Sequence, residues 1–162
     1  MTWLNKLFGS SRDEGRVDYY EEGLALLKAG KFHEALTSFR LALKESPGDH
    51  VVLQQIAISY TRIGMTEEAA KTYRHVLKNR PDAAGAHYGL AFLYLRAGQH
   101  EDALRHLRAF LANTPDTEVA ADHVNHARTT MAQLTGEVEV PEPDTGGFTE
   151  GGSPGFGGTG GR

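Results

Sequence analysis

The sequence contains no cysteine, which excludes a disulfide framework and a cysteine-ligated metal site. It also lacks an apolar run of the roughly 18–20 residues that cross a bilayer. The first eight residues are too short for the apolar region of a secretory signal, and no small-residue cleavage site follows them. We therefore expect a cytoplasmic location, with peripheral attachment at a membrane-bound complex as an open alternative.

Motifs of catalysis and of phosphate binding are missing as well. The sequence has no H-E-x-x-H, G-x-S-x-G, G-x-x-x-x-G-K or C-x-x-C pattern. Of its eight histidines, His123 and His126 are spaced i, i+3 near Asp122, but no third strong metal ligand is placed by the spacing. We expect no enzymatic activity, no cofactor and no bound metal.

Excess charge is scarce over most of the chain. The formal net charge is −4, and residues 137–162 alone hold five acids against one base, Arg162. The preceding residues are therefore balanced. Because non-specific nucleic-acid binding needs a basic surface, we expect no nucleic-acid partner.

What the chain does contain is a pattern repeated every 34 residues. The three copies occupy residues 30–35, 64–69 and 98–103, and prolines follow at the same interval at Pro47, Pro81 and Pro115. A fixed period of this length is typical of stacked helix-turn-helix units. The glycine that opens each copy suits the left-handed residue that ends a first helix. Asp49, Asp82 and Asp116 are predicted to cap the helices that follow the prolines.

A seventh helix of a different kind is predicted over 117–134. Its apolar residues form one stripe: Ala120, Val124, Ala127, Met131 and Leu134. The other face is expected to point to solvent: Asp122, His123, Asn125, His126 and Arg128. A one-sided helix of this kind is the expected cap of a repeat array, and Gly136 is predicted to end it.

In register, the three copies resemble the tetratricopeptide repeat family, whose pattern is W-x2-L-G-x2-Y … A-x3-F … P. The first copy reads Tyr19-x2-Glu22-Gly23-x2-Leu26 … Ala35-x3-Phe39 … Pro47. The second reads Leu53-x2-Ile56-Ala57-x2-Tyr60 … Ala69-x3-Tyr73 … Pro81. The third reads His87-x2-Leu90-Ala91-x2-Tyr94 … Ala103-x3-Leu107 … Pro115.

The resemblance implies an all-α fold, a right-handed superhelical solenoid of helix-turn-helix repeats. The repeats would occupy 17–49, 50–83 and 84–116, followed by a capping helix over 117–135. An apolar N-terminal arm (residues 1–16) precedes them. An acidic, glycine-rich tail (residues 136–162) follows, and its composition predicts disorder.

The family also implies a concave groove that is lined by the first helices and receives a peptide or helix of a partner protein. The matching positions in this sequence are Tyr20, Leu24, Leu27, Lys28, Gln54, Gln55, Ile58, Arg62, Tyr88, Phe92, Leu95 and Arg96. Lys28, Arg62 and Arg96 would form a basic edge. Members that bind chaperone tails use a Lys/Asn clamp, and that clamp is missing here. Four of these residues could instead pack between neighbouring helices: Leu24, Leu27, Ile58 and Leu95.

The arm supplies a second candidate attachment point. Trp3, Leu4, Leu7 and Phe8 share one face of a short predicted helix, which needs a covering surface to be stable in water. That surface could be a partner, the repeat domain or a membrane. We expect a protein-interaction adaptor or assembly factor. The alternatives are a self-assembling scaffold, in which the arm of one copy fills the groove of the next, and a peripheral membrane protein held weakly by the arm.

Overall fold

The computed structural model describes residues 18–137; the arm, Val17 and residues 138–162 lie outside the described residues. Within that range the chain forms seven α-helices and no strand. They are α1 (Tyr19–Lys28), α2 (Phe32–Glu45), α3 (His50–Ile63), α4 (Thr66–Asn79), α5 (Ala84–Arg96), α6 (His100–Asn113) and α7 (Glu118–Thr135).

The helices form three helix-turn-helix pairs, α1/α2, α3/α4 and α5/α6, and α7 packs against the last pair. The predicted all-α repeat architecture is confirmed. None of these seven helices is both long enough and apolar enough to cross a membrane.

Local chemistry explains where the first helices begin and end. The Asp49 carboxylate accepts hydrogen bonds from the backbone N–H of Val51 (2.8 Å) and of Val52 (3.3 Å), so it caps α3 as predicted. Asp18 caps α1 in the same way: its carboxylate accepts hydrogen bonds from the backbone N–H of Tyr20 (3.0 Å) and of Glu21 (3.1 Å). The three repeat glycines have φ values of 77°, 95° and 73°, a left-handed conformation that residues with a Cβ rarely adopt.

The other two predicted caps are wrong. The cap of α5 is Ala83, which has no side-chain acceptor, and Asp82 instead pairs with Arg80 at 3.3 Å. The cap of α7 is Thr117, whose hydroxyl accepts from the Ala120 N–H at 3.3 Å. In both cases the helix begins two residues after the aspartate, and a capping residue must lie directly before the helix. The carboxylate is therefore too far from the free N–H groups of the first turn to accept from them.

The core is continuous along the stack, and each part of it combines three consecutive helices. Phe39 of α2 is fully buried between residues of α1 and α3. Tyr73 of α4 and Leu90 of α5 fill the next part together with residues of α3. Leu107 and Phe110 of α6 join α5 to α7. Each unit therefore contacts only its neighbours, as in a solenoid.

Two glycines allow helices to approach closely. A Cβ built on Gly23 would lie 2.5 Å from Cε1 of Phe39, and one built on Gly89 would lie 2.6 Å from Cε2 of Tyr73. Real Cβ atoms do not come this close to carbon atoms. The rings of Phe39 and Tyr73 are buried and cannot move aside without disturbing the core.

The interface of α5 and α6 contains a histidine pair. His87 Nδ1 lies 2.9 Å from His106 Nδ1, and His87 Nε2 lies 2.8 Å from the Pro81 carbonyl oxygen. The pairing is satisfied when His87 Nε2–H donates to that carbonyl and His106 Nδ1–H donates to His87. Burial, followed by the nearby His87, lowers the pKa of His106 and favours this neutral form.

Replacing Gly89 by alanine should destabilise the fold. The added methyl group meets the buried ring of Tyr73, and overpacking of this kind costs about 1–3 kcal/mol, partly offset by the better helix propensity of alanine. Thermal or urea unfolding followed by circular dichroism measures the change.

Gly85→Ala is the matched control, because it adds the same methyl group to the same helix. There the new Cβ meets only the flexible end of Gln54, so stability should be unchanged or should rise by up to about 1 kcal/mol. Equal stability of the two variants would contradict the close packing of α5 against Tyr73.

Candidate partner-binding groove

A concave groove runs across the first helices of the three pairs. It consists of two depressions that share Ile58 and Arg62 of α3. The larger has a volume of about 670 Å³ and lies among α3, α5 and α7. The smaller, of about 260 Å³, lies between α1 and α3.

Eight of the twelve predicted groove residues line these depressions. Leu24, Leu27 and Lys28 line the smaller one, Tyr88, Phe92 and Arg96 line the larger one, and Ile58 and Arg62 line both. The packing interpretation also applies to part of this set, since Leu24, Leu27 and Ile58 are half-buried against the core. They therefore form the floor of the groove, and only part of each side chain faces solvent.

Four predicted residues lie outside both depressions. Tyr20 packs on Phe39, with ring centroids 6.0 Å apart, and borders a separate polar hollow near Asp49. Burial raises the pKa of its hydroxyl, and the neighbouring Gln55 side chain opposes that shift. Gln54 donates to the His50 carbonyl oxygen at 3.2 Å. Leu95 is half-buried and lines neither depression.

An aromatic cluster forms the floor of the larger depression. The ring centroid of Tyr88 lies 4.7 Å from that of Phe92 and 4.9 Å from that of Phe110. Gly89 and the Tyr73 ring complete the wall beside them. Burial raises the pKa of the Tyr88 hydroxyl, so the group stays protonated and able to donate at neutral pH.

The two histidines of α7 are exposed, as the sequence predicts, and both also contact the aromatic cluster. The His126 ring stacks on Phe92, with centroids 4.7 Å apart and planes 14° apart. Its Nδ1 lies 2.8 Å from the Tyr88 hydroxyl. The His123 ring meets the edge of Tyr88 at 5.1 Å. The capping helix therefore closes one side of the groove as well as covering the last repeat.

Several lining residues of this wall were not predicted. Thr114, Thr117, Val119, Ala120 and His123 all line the larger depression. A signal was present in the sequence: Val119, His123, His126 and Thr130 recur at steps of four, three and four. This spacing indicates a second helical face beside the apolar stripe. On this face the Val119 side chain is 90 % exposed, so it is available for contact with a ligand.

The charged side chains that line the groove are all basic. Among the described residues, no aspartate or glutamate lines either depression, whereas Lys28, Arg62 and Arg96 do. None of these three cations forms an ion pair within residues 18–137. Arg62 is held in place by the ring of Phe32, 5.0 Å from its guanidinium carbon.

This arrangement can bind apolar side chains on its floor and carboxylates along its edge. The described residues contain no group of three histidine, aspartate or glutamate side chains that could hold a metal ion. The groove offers a ligand apolar contacts on its floor and cationic contacts at its edge.

A family model for the tetratricopeptide repeat matches residues 26–84 and again residues 64–122, which together span more than half of the sequence. The chain belongs to the tetratricopeptide repeat family. Members of this family are in general protein-interaction modules. No curated protein sequence matches this chain.

Solved structures with the same fold include complexes with peptides. One is the Yersinia enterocolitica type III secretion chaperone SycD with a peptide of the translocator YopD. It is 12 % identical over 77 % of this chain and 98 % of its own, with a TM-score of 0.68.

Two others are eukaryotic. The TPR2B domain of yeast Sti1, in its pHsp70 complex, is 13 % identical over 74 % of this chain and 95 % of its own, with a TM-score of 0.64. The second TPR domain of human RPAP3, with an HSP70 peptide, is 16 % identical over 73 % and 92 %, with a TM-score of 0.60. At these identities the similarity concerns the fold.

Replacing His126 by alanine should loosen α7 from the groove wall. The change removes the ring stacking on Phe92 and the hydrogen bond to Tyr88, which together contribute about 1–2 kcal/mol. Amide hydrogen exchange in α7 should accelerate more than exchange in α3. His75→Ala, at an exposed histidine of α4, is the control and should leave α7 unchanged. Equal protection of α7 in both variants would show that His126 does not hold the helix.

Proposed function

We propose that this chain is an adaptor or assembly factor that binds a segment of a partner protein in its concave groove. The observation that carries the proposal is the pairing of an aromatic floor with an acid-free basic edge. An exposed concave surface of this composition is typical of a recognition site. The family's general role and its peptide-bound structures support the same interpretation.

The chemistry of the groove defines the kind of segment. One or two apolar side chains would enter the larger depression and pack on Tyr88 and Phe92. Carboxylates spaced along the segment would pair with Arg62 and Arg96. The partner segment is therefore amphipathic, either extended or helical, and carries acids beside its apolar anchors.

The segment binds through its side chains and not through a terminal carboxylate. The positions where chaperone-binding relatives place a Lys/Asn clamp carry Tyr20, Leu24, Gln55, Gly85 and Gly89 here. None of these side chains is cationic. The cations that are present lie at the edge of the groove, where internal acidic residues of a longer segment can reach them.

The N-terminal arm would supply a second attachment. Its apolar residues Trp3, Leu4, Leu7 and Phe8 lie outside the described residues, so the proposal rests there on sequence alone. In this account the chain contributes no catalysis of its own, and its effect comes from holding two binding partners, or two parts of one partner, together.

Replacing Phe92 by glutamate should abolish partner binding while leaving helicity unchanged. The new carboxylate removes the aromatic contact from the apolar floor and places a charge where an apolar anchor would be buried. It also lies four residues before Arg96 on the same helix and can pair with a cation that the partner's acids would use. We expect retention of the partner in a pull-down from native extract to fall at least about tenfold.

Arg74→Glu is the matched control, because it introduces the same carboxylate at an exposed position of α4 that does not line the groove. A deletion of residues 1–12 tests the arm in parallel. If Phe92→Glu retains the partner and the arm deletion loses it, the arm is the binding element and the proposal for the groove fails.

A further inference from the structure

The groove carries more positive charge than the described part of the chain neutralises. Lys28, Arg62 and Arg96 are exposed and have no carboxylate partner among residues 18–137. Three unpaired cations along one apolar groove attract any nearby acidic chain.

The tail is such a chain, and its charge is complementary to the groove. Residues 137–148 read EVEVPEPDTGGF and contain four acids and no base. The arm is the other candidate occupant outside the described residues, because it also carries apolar side chains. Between Met1 and Phe8, however, its only charged side chain is Lys6, which is basic like the groove. Charge therefore favours the tail over the arm as an occupant of the groove.

The order of residues in the tail suits an extended acidic ligand. Pro141 and Pro143 disfavour a helix and favour extended backbone. In an extended chain, alternate side chains point to opposite sides. Glu139 and Val140 then point to opposite sides, so Glu139 can meet the basic edge while Val140 meets the apolar floor. Glu142 and Asp144 follow the first proline and extend the acidic stretch.

The tail is also long enough to reach the groove of its own molecule. Helix α7 ends at Thr135, and Gly136 (φ 74°) turns the chain away from the helix axis. His123, which lines the groove, is twelve residues before that end, about 18 Å along the axis. A segment of the length of residues 137–148 spans up to about 40 Å when extended.

We propose that residues 139–148 of this chain bind in its own groove, on the apolar floor and against Arg62 and Arg96, and compete there with the partner segment. Binding within one molecule acts at an effective concentration in the millimolar range, so modest affinity is sufficient to occupy the groove. The inference rests on the proposed function, since it makes the tail a regulator of the same site.

Paramagnetic relaxation in the full chain tests the contact directly. Because the chain has no cysteine, Thr149→Cys provides a single attachment point for a nitroxide label. The amide signals of Gly85 and Gly89 in the groove should be lost selectively, whereas those of Arg74 and His75 on α4 should remain. A second sample mixes nitroxide-labelled chain without isotopes and isotope-labelled chain without nitroxide. Any signal loss in that sample arises from contacts between molecules, so it separates these from contacts within one molecule.

Two charge variants serve as controls that keep the fold. Glu139→Gln, Glu142→Gln and Asp144→Asn together neutralise the tail and should restore the signals of Gly85 and Gly89. The double variant Arg62→Glu with Arg96→Glu should also restore these signals, because it removes the cations of the groove that attract the tail. Arg62 and Arg96 are exposed, the three tail positions lie beyond the described residues, and melting temperature verifies that each variant is folded.

Competition gives a second readout with a defined probe, a fluorescein-labelled peptide of residues 137–150. The peptide should bind the tail-neutralised full chain about tenfold more tightly than the unmodified chain, because the unmodified tail competes with it. Equal affinity for both chains, no selective signal loss, or signal loss only between molecules would each overturn the proposal.

The outcomes separate this inference from the proposed function. If Phe92→Glu abolishes partner binding while Gly85 and Gly89 keep their signals in the labelled chain, the groove is the partner site and the tail does not occupy it. If the signals are lost and partner binding survives Phe92→Glu, the tail occupies the groove and the partner binds elsewhere.

Discussion

Small residues at the contacts between paired helices set the geometry of the whole stack. Ala35, Ala57, Ala69, Ala91 and Ala103 are all completely buried, and each lies where a helix touches its neighbour. A side chain of one methyl group lets two helix axes come together, and repetition of that spacing every 34 residues gives every pair the same geometry. The concave surface is the consequence, because a constant small rotation between equal units produces a curved stack.

The sequence predicts this architecture well because its signals are local and repeated. Helix ends depend on glycines with positive φ and on prolines, and both occur in each copy. The caps were predicted less well. Asp49 lies one residue before its helix, whereas Asp82 and Asp116 lie two residues before theirs. A difference of one position decides whether a carboxylate reaches a free N–H, and propensity does not resolve boundaries that finely.

The groove was predicted on the side of the repeats and missed on the side of α7. Tyr88, Phe92 and Arg96 were assigned from the position each occupies in its repeat. The contribution of His123 and His126 depends on how the last helix docks, and no repeat pattern specifies that angle. Tyr20 and Gln55 were assigned to the groove by the same reasoning from the repeat, yet they line neither depression. Tyr20 packs on Phe39 instead, a contact that the repeat pattern does not specify.

The groove is proposed to receive a protein segment with apolar anchors and acids. Photo-crosslinking can capture that segment in place, with benzoylphenylalanine at Val119, which is 90 % exposed on the groove wall, and, as a control, at Arg74 outside the groove. The account predicts a partner adduct at Val119 that maps to an amphipathic acidic segment, and none at Arg74. Adducts at Arg74 without any at Val119 would contradict it.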